Sequence, residues 1–242
     1  QSIMKKFIFS SIMMLFAALL VTSCGPKTPD PVKLGDSGLT SYAKYDKAAQ
    51  TFFWNVTAND GSLKINPVLT AVPTAFEEFY IGQMKTAQVV FDKSGKVIAE
   101  GTNCKIQAAG EIRYISYTKA DKPCIYLIKA GTTISGKDKL LVKPAQIFYQ
   151  SGDVIGALNF ANTDILPAGQ KEIIYLTVNK KVKGKELPVY YYAAQDAKGW
   201  NLYTAEGKLQ KKISPWQLKV YQKGAVKDEA IEKLSYKTEK AI

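Results

Sequence analysis

The sequence predicts an all-β protein of repeated three-stranded antiparallel units, with a short C-terminal helix. A propeller-like arrangement is the first expectation, and an open stack or a sandwich the alternative. Three observations lead there. Glycine turns flanked by β-rich runs recur along the chain, an aromatic-rich run precedes each of them, and a further apolar run follows the later ones.

The clearest turn is Trp200-Asn201-Leu202-Tyr203-Thr204-Ala205-Glu206-Gly207-Lys208-Leu209. A β-rich run enters, Gly207 supplies a left-handed residue at no Cβ cost, and a second strand leaves. Trp54-Asn55-Val56-Thr57-Ala58-Asn59-Asp60-Gly61-Ser62-Leu63 matches it closely. Val90 to Val97 repeats it around Gly95, and Tyr126 to Gly131 around Gly131. A fourth version at Leu158 to Thr163 has no glycine. The aromatic-rich runs are Ser41–Tyr45, Phe79–Ile81, Tyr114–Tyr117, Ile147–Tyr149 and Val189–Tyr192. Third strands are expected at Lys139–Val142, Ile173–Val178 and Trp216–Tyr221. The period is roughly 32 to 44 residues, in the range of propellers, solenoids and arrays. Ser41 to Gln50 could also form a short helix, since Ala and Lys favour one; its place in the repeat makes strand the expectation.

Before the repeats stands a leader. Lys5 and Lys6 precede an apolar run from Phe7 to Val21, the length of a signal h-region and short for a membrane span. Residues 1–23 therefore read as a signal peptide. Val21-Thr22-Ser23-Cys24 is similar to the bacterial lipobox, in which small residues approach a cysteine that takes up lipid. The resemblance implies acylation of Cys24 (diacylglycerol and palmitate-type chains). Residues 24–38 follow as a tether whose Gly and Pro residues cannot bury surface. No acidic run follows Cys24, which points to the periplasmic face of the outer membrane.

Residues 39–224 are expected to form the β-repeat domain, in about five units. Lys180-Lys181-Val182-Lys183-Gly184-Lys185 is a basic insertion that reads as an exposed hairpin tip or loop. Residues 225–242 form a tail whose Asp228–Leu234 has the apolar spacing of a short helix.

From Lys198 to Leu209 the chain resembles the WG-repeat family of bacterial proteins, though Asn201 stands where that family has Gly after Trp. Only Trp54 and Trp200 fill the Trp position. The resemblance spans roughly Leu39 to Tyr221. It implies an all-β repeat array and no particular catalytic residues.

Composition limits the chemistry. The chain has 33 Lys and Arg against 21 Asp and Glu, a net charge of +12, and no histidine. Loss of the leader removes Lys5 and Lys6 and leaves +10. Arg113 is the single arginine. Lysine suits diffuse attraction to anionic surfaces, whereas phosphate and carboxylate clamps use the arginine fork. Nucleic acid is not an expected partner outside the cytoplasm. Histidine-based nucleophilic catalysis is excluded, and the commonest zinc ligand is missing. No metal site and no cofactor are expected. Glu77-Glu78 is the most visible carboxylate pair for glycoside hydrolysis, but neighbours on a strand face opposite ways. Cys104 and Cys124 either pair as a disulfide, as an oxidising compartment favours, or serve as two small core residues.

The functional expectation is a lipid-anchored envelope protein acting as a non-catalytic binding or scaffold module for an envelope protein or glycan. Its rivals are a carbohydrate- or peptidoglycan-active enzyme and a structural subunit of an envelope complex. The binding candidates are Tyr190, Tyr191, Tyr192, Trp200 and Trp216, because aromatic residues dominate interface energies. Within the tyrosine run, strand alternation sends Tyr191 to the face opposite its neighbours.

Overall fold

The computed structural model describes residues 26–223 and 233–235. Cys24 and most of the tail lie outside them. The described chain is all-β with one short helix, and every described strand pair is antiparallel. It divides into two compact units, Gln1–Thr86 with Val90–Val97, and Ala87–Val89 with Ile98–Ile242.

In the first unit a meander runs through β1 (Val32–Lys33), β2 (Leu39–Asp46), β3 (Thr51–Ala58) and β4 (Leu63–Leu69). Ser41–Asp46 is thus strand, as its place in the repeat predicts. β1 and the buried Leu34 lie within residues 24–38, so this part of the expected tether belongs to the folded chain. β5 (Thr74–Phe76) and β6 (Phe79–Gln83) form a hairpin whose two loop residues are Glu77 and Glu78. These glutamates therefore do not sit on a strand; both are exposed at a hairpin tip. β7 (Gln88–Asp92) follows. Val56, Ile65, Leu69, Val90 and Phe91 are fully buried. Tyr80 stacks on Phe91 at 5.4 Å and donates its hydroxyl to the Leu34 carbonyl at 2.6 Å, which ties the first loop to this core.

The second unit holds three consecutive meanders. The first is β8 (Val97–Ala109), β9 (Ile112–Lys119), β10 (Lys122–Leu127) and β11 (Thr132–Ile134). Next come β12 (Lys139–Val142), β13 (Ile147–Ser151) and β14 (Val154–Leu158). The third is β15 (Glu172–Val182), β16 (Lys185–Asp196), β17 (Gly199–Thr204) and β18 (Leu209–Ile213). β19 (Lys233–Ser235) pairs with β15. Lys139–Val142 and Ile173–Val178 are strands, but each opens its sheet and does not close the preceding one. The four-residue connection Lys143–Gln146 folds β12 straight onto β13. The basic hairpin tip is also present: Lys183 (φ 51°) and Gly184 (φ 79°) turn β15 into β16.

Four hairpins close with the same turn. A first residue donates its N–H to the carbonyl four residues on and accepts from the N–H three residues on. Ala58, Asp92, Asn159 and Thr204 all do this, at 2.9–3.0 Å. The fourth position is left-handed at Gly61 (φ 79°), Gly95 (80°), Asn162 (61°) and Gly207 (84°). This is a type I turn followed by a bulge residue. Asn162 explains how the glycine-free version turns, since Asn tolerates the left-handed region better than other side chains. The first residue's side chain locks the turn where it can. Asp92 Oδ1 accepts from Ser94 and Lys96 N–H, and Asn159 Oδ1 from Ala161 and Thr163 N–H, all at 2.8–3.0 Å. At Gly131 the turn is wider, with its N–H donating to the Leu127 carbonyl at 2.8 Å.

Two expectations at the C-terminal end are corrected. Trp216–Tyr221 is not a third strand but part of a helix, α1 (Pro215–Lys223). Ser214 caps it: its Oγ accepts from Gln217 N–H at 3.2 Å, and Gln217 Oε1 accepts from Ser214 N–H at 2.8 Å. That reciprocal pair is a capping box, and Pro215 holds the first helical position, where no donor is lost. The helix expected at Asp228–Leu234 falls mostly outside the described residues, and Lys233 and Leu234 belong to β19.

Of the two alternatives for the cysteines, the structure has the unbridged one. Cys104 and Cys124 are free, buried thiols. Cys124 stands opposite Tyr117 across β9 and β10. Cys104 lies in a bulge of β8, between the Thr102–Thr118 and Lys105–Ser116 pairs, on the other side of β9. One strand separates them, so their Cα atoms are about 9–10 Å apart at two strand spacings, beyond the roughly 7 Å a disulfide spans. Burial pushes the Cys104 thiol up to about 11.

Candidate functional site

The tyrosine run lies in the middle of β16, and alternation operates there as expected. Tyr190 and Tyr192 share one face while Tyr191 takes the other. Both faces are packed, with Tyr190 and Tyr191 half-buried and Tyr192 buried. On the first, Tyr192 is fully buried in a continuous row of rings. Tyr190 stacks on Tyr175 at 5.9 Å, Tyr175 and Tyr192 both meet Phe148 edge-on at 6.0 and 5.6 Å, and Tyr192 stacks on Tyr203 at 5.4 Å. On the second, Tyr191 and Trp200 pack half-buried against Ile174, Leu176, Ala193, Leu202, Ile213 and Leu218. Four of the five expected binding aromatics are therefore core or core-edge residues. Trp216 alone is strongly exposed, at 71%.

Tyr149 is also inward. Its ring covers Gly156 across the β13–β14 pair and leaves no room there for a Cβ. Its hydroxyl donates to Asp164 Oδ1 at 2.6 Å, and Lys137 Nζ lies 4.0 Å from the ring centre. Burial first, then the Asp164 carboxylate, pushes the Tyr149 hydroxyl up to about 12.

The concave feature that best fits a ligand lies elsewhere in the second unit. A cavity of about 560 Å³ is lined by Ile112, Leu127, Ile128 and Phe160, with Glu111, Arg113 and Lys129 as its charged members. Two turns shape it. One is the wide turn Leu127–Gly131, held by the Ile128 N–H donating to the Arg113 carbonyl at 3.1 Å. The other is the Asn159–Thr163 turn, whose second residue is Phe160. The cavity's residues come from three separated stretches, so no local pattern marks it in the sequence. The one local signal was Arg113, the chain's single arginine.

Chemically the cavity offers apolar wall, a guanidinium, an ammonium and one carboxylate. Two smaller cavities, of about 390 and 330 Å³, hold no carboxylate and only Asp46, respectively. None of the three brings together the two carboxylates that glycoside hydrolysis needs. No group of three or more His, Cys, Asp or Glu is placed to hold a metal among the described residues.

No protein-family model and no curated protein matches the chain. Among solved structures it is similar to KlHsv2 with loop 6CD replaced by a Gly-Ser linker, at 11% identity and a TM-score of 0.27 over 76% of this chain and 65% of that one. It is similar to U3-55K at 10% identity and a TM-score of 0.23 over 73% of this chain and 63% of that one. The chain thus spans less than two thirds of either neighbour. At these scores the likeness assigns neither fold nor function.

Proposed function

We propose that this chain is a bacterial envelope lipoprotein, anchored through Cys24 on the periplasmic face of the outer membrane, whose β part is a non-catalytic binding module. The anchor reading is supported by the basic start, the apolar run and the small residues before Cys24. The cavity at Arg113 carries the binding reading. It has an apolar wall that gains by burying a ligand's surface and cations that fix the ligand's charged end, which is the usual composition of a binding pocket. The class that fits is an amphipathic anion, such as a free fatty acid or an apolar peptide ending in a carboxylate.

The four identical turns support a further reading, that the meanders are successive repeats of a WG-like array closed in a propeller-like way. Closure protects strand edges that an open stack leaves unpaired. Small-angle scattering of the anchor-free mature chain then gives a radius of gyration near 17 Å, the compact value for about 220 residues. An open stack gives a distinctly larger one.

The binding reading is tested with an anionic aromatic dye, anilinonaphthalene sulfonate, and its displacement by dodecanoate. One saturable site per chain is expected, lost in Phe160→Glu and weakened in Arg113→Gln. Binding unchanged in both variants removes the cavity from the proposal. Turnover of a peptidoglycan or glycan substrate, abolished by replacing a carboxylate, replaces the binding module with an enzyme.

A further inference from the structure

The capping box at Ser214 sets where α1 begins, and the burial of Leu218 sets how it is turned. Leu218 is 6% exposed, on the cluster of Ile174, Leu176, Ala193, Leu202 and Ile213. Residues four apart share a helix face. With Leu218 inward, Trp216 and Val220 face away from the core, and both are exposed. Lys219 is exposed beside them. The preceding strand, β18, is the edge of its sheet; Leu209, Lys211 and Lys212 on it, and Lys208 just before it, are exposed as well. From Lys208 to Lys223 the chain carries five lysines and no acidic residue.

We propose that α1 and the edge strand β18 form a contact surface for an anionic phospholipid bilayer, with Trp216 seated at headgroup level. Tryptophan favours that level because its ring is apolar and its N–H is polar. A surface helix with an apolar face and flanking lysines lies in the bilayer plane. The cations are all lysine, suited to diffuse attraction by many headgroups and not to a fixed carboxylate or phosphate clamp. The proposal rests on the anchor reading for its geometry. Eight residues from Cys24 to Val32 reach at most about 28 Å, so the anchored chain stays close to the membrane. The contact would fix how it sits there.

The test uses the full mature chain in vesicles, after its acyl mass has been measured separately. The vesicles are phosphatidylcholine alone or mixed with phosphatidylglycerol, with bromine on the acyl chains as a quencher. Tryptophan emission is expected to be quenched about twofold more in the anionic vesicles, and the difference to vanish in Trp216→Phe. Trp54 and Trp200 are half-buried and remain as internal references. The Lys212→Glu, Lys219→Glu variant, or high salt, should remove most of the difference. Quenching that is equal in neutral and anionic vesicles overturns the proposal, as does quenching unchanged in Trp216→Phe. Shielding of Trp216 only after adding envelope extract overturns it in favour of a protein partner. If no acyl mass is found, the anchor reading fails. The surface is then judged by co-sedimentation of the unacylated chain with the anionic vesicles, and absence of Trp216-dependent binding overturns it.

Discussion

Replacing Gly207 by alanine separates two costs that sequence reading alone merges. Gly207 has φ +84°, and a Cβ built there meets the Ile165 carbonyl oxygen at 2.5 Å and the Ile165 Cβ at 2.7 Å. Gly184, at the β15–β16 tip of the same compact unit, has φ +79° and nothing within 4 Å. Both variants bear the left-handed penalty of about 1–2 kcal/mol, offset in part by a less flexible unfolded chain. Gly207→Ala must also displace a backbone carbonyl, worth about 1–3 kcal/mol more, as for other overpacked sites. Gly184→Ala should therefore cost about 1 kcal/mol and Gly207→Ala about 3. In urea titrations, with a slope near 2 kcal/mol per molar, the second midpoint falls about 1 M below the first. Asn162→Gly should change stability little, because glycine is the residue the equivalent turns already use. Equal midpoints for Gly207→Ala and Gly184→Ala would show that the Ile165 contact is slack, and a large loss in Asn162→Gly that the turns are not equivalent.

Tyr192→Phe should keep stability or raise it by up to about 1 kcal/mol, because the Tyr192 hydroxyl is buried without a hydrogen-bond partner. Tyr192→Ala should cost about 3–5 kcal/mol, as for other large aromatic deletions; a melting temperature unchanged in Tyr192→Ala would return the residue to the surface. Cys104 supplies a pH test: its neutral thiol is favoured on folding, so the stability it adds is whole below pH 9, the ordinary thiol value, and is lost as pH rises towards 11. Alkylation mapped to Cys104 by mass spectrometry should accelerate with a midpoint near pH 11, and either a midpoint near 9 or no free thiol at all contradicts the buried, unbridged state.

How much was legible in the sequence depended on whether the signal was local. The turns at Gly61, Gly95 and Gly207 were readable because a left-handed residue must be glycine or close to it. Asn162 shows the limit, since its turn survives without the letter that marks the others. The period within Tyr190–Tyr192 was also readable, but what covers each face was not. Phe148 comes from another meander and Leu218 from a helix. That helix is masked because Trp216, Leu218 and Val220 alternate like a strand, while Ser214, Pro215 and Gln217 spell out its cap. Cys104 and Cys124 are kept apart by β9, a topological fact that neither composition nor compartment carries. The cavity was least legible, since Ile112, Leu127 and Phe160 meet only through the fold.

The most direct measurement is the chemistry of Cys24. Cells expressing the full chain are grown with an alkyne-bearing fatty acid, and the mature protein is isolated for labelling and N-terminal mass analysis. The lipoprotein reading predicts label on the wild type, a mature chain starting at acylated Cys24, and no label on Cys24→Ala. Equal labelling of both, or a mature chain starting elsewhere with an unmodified Cys24, would contradict it.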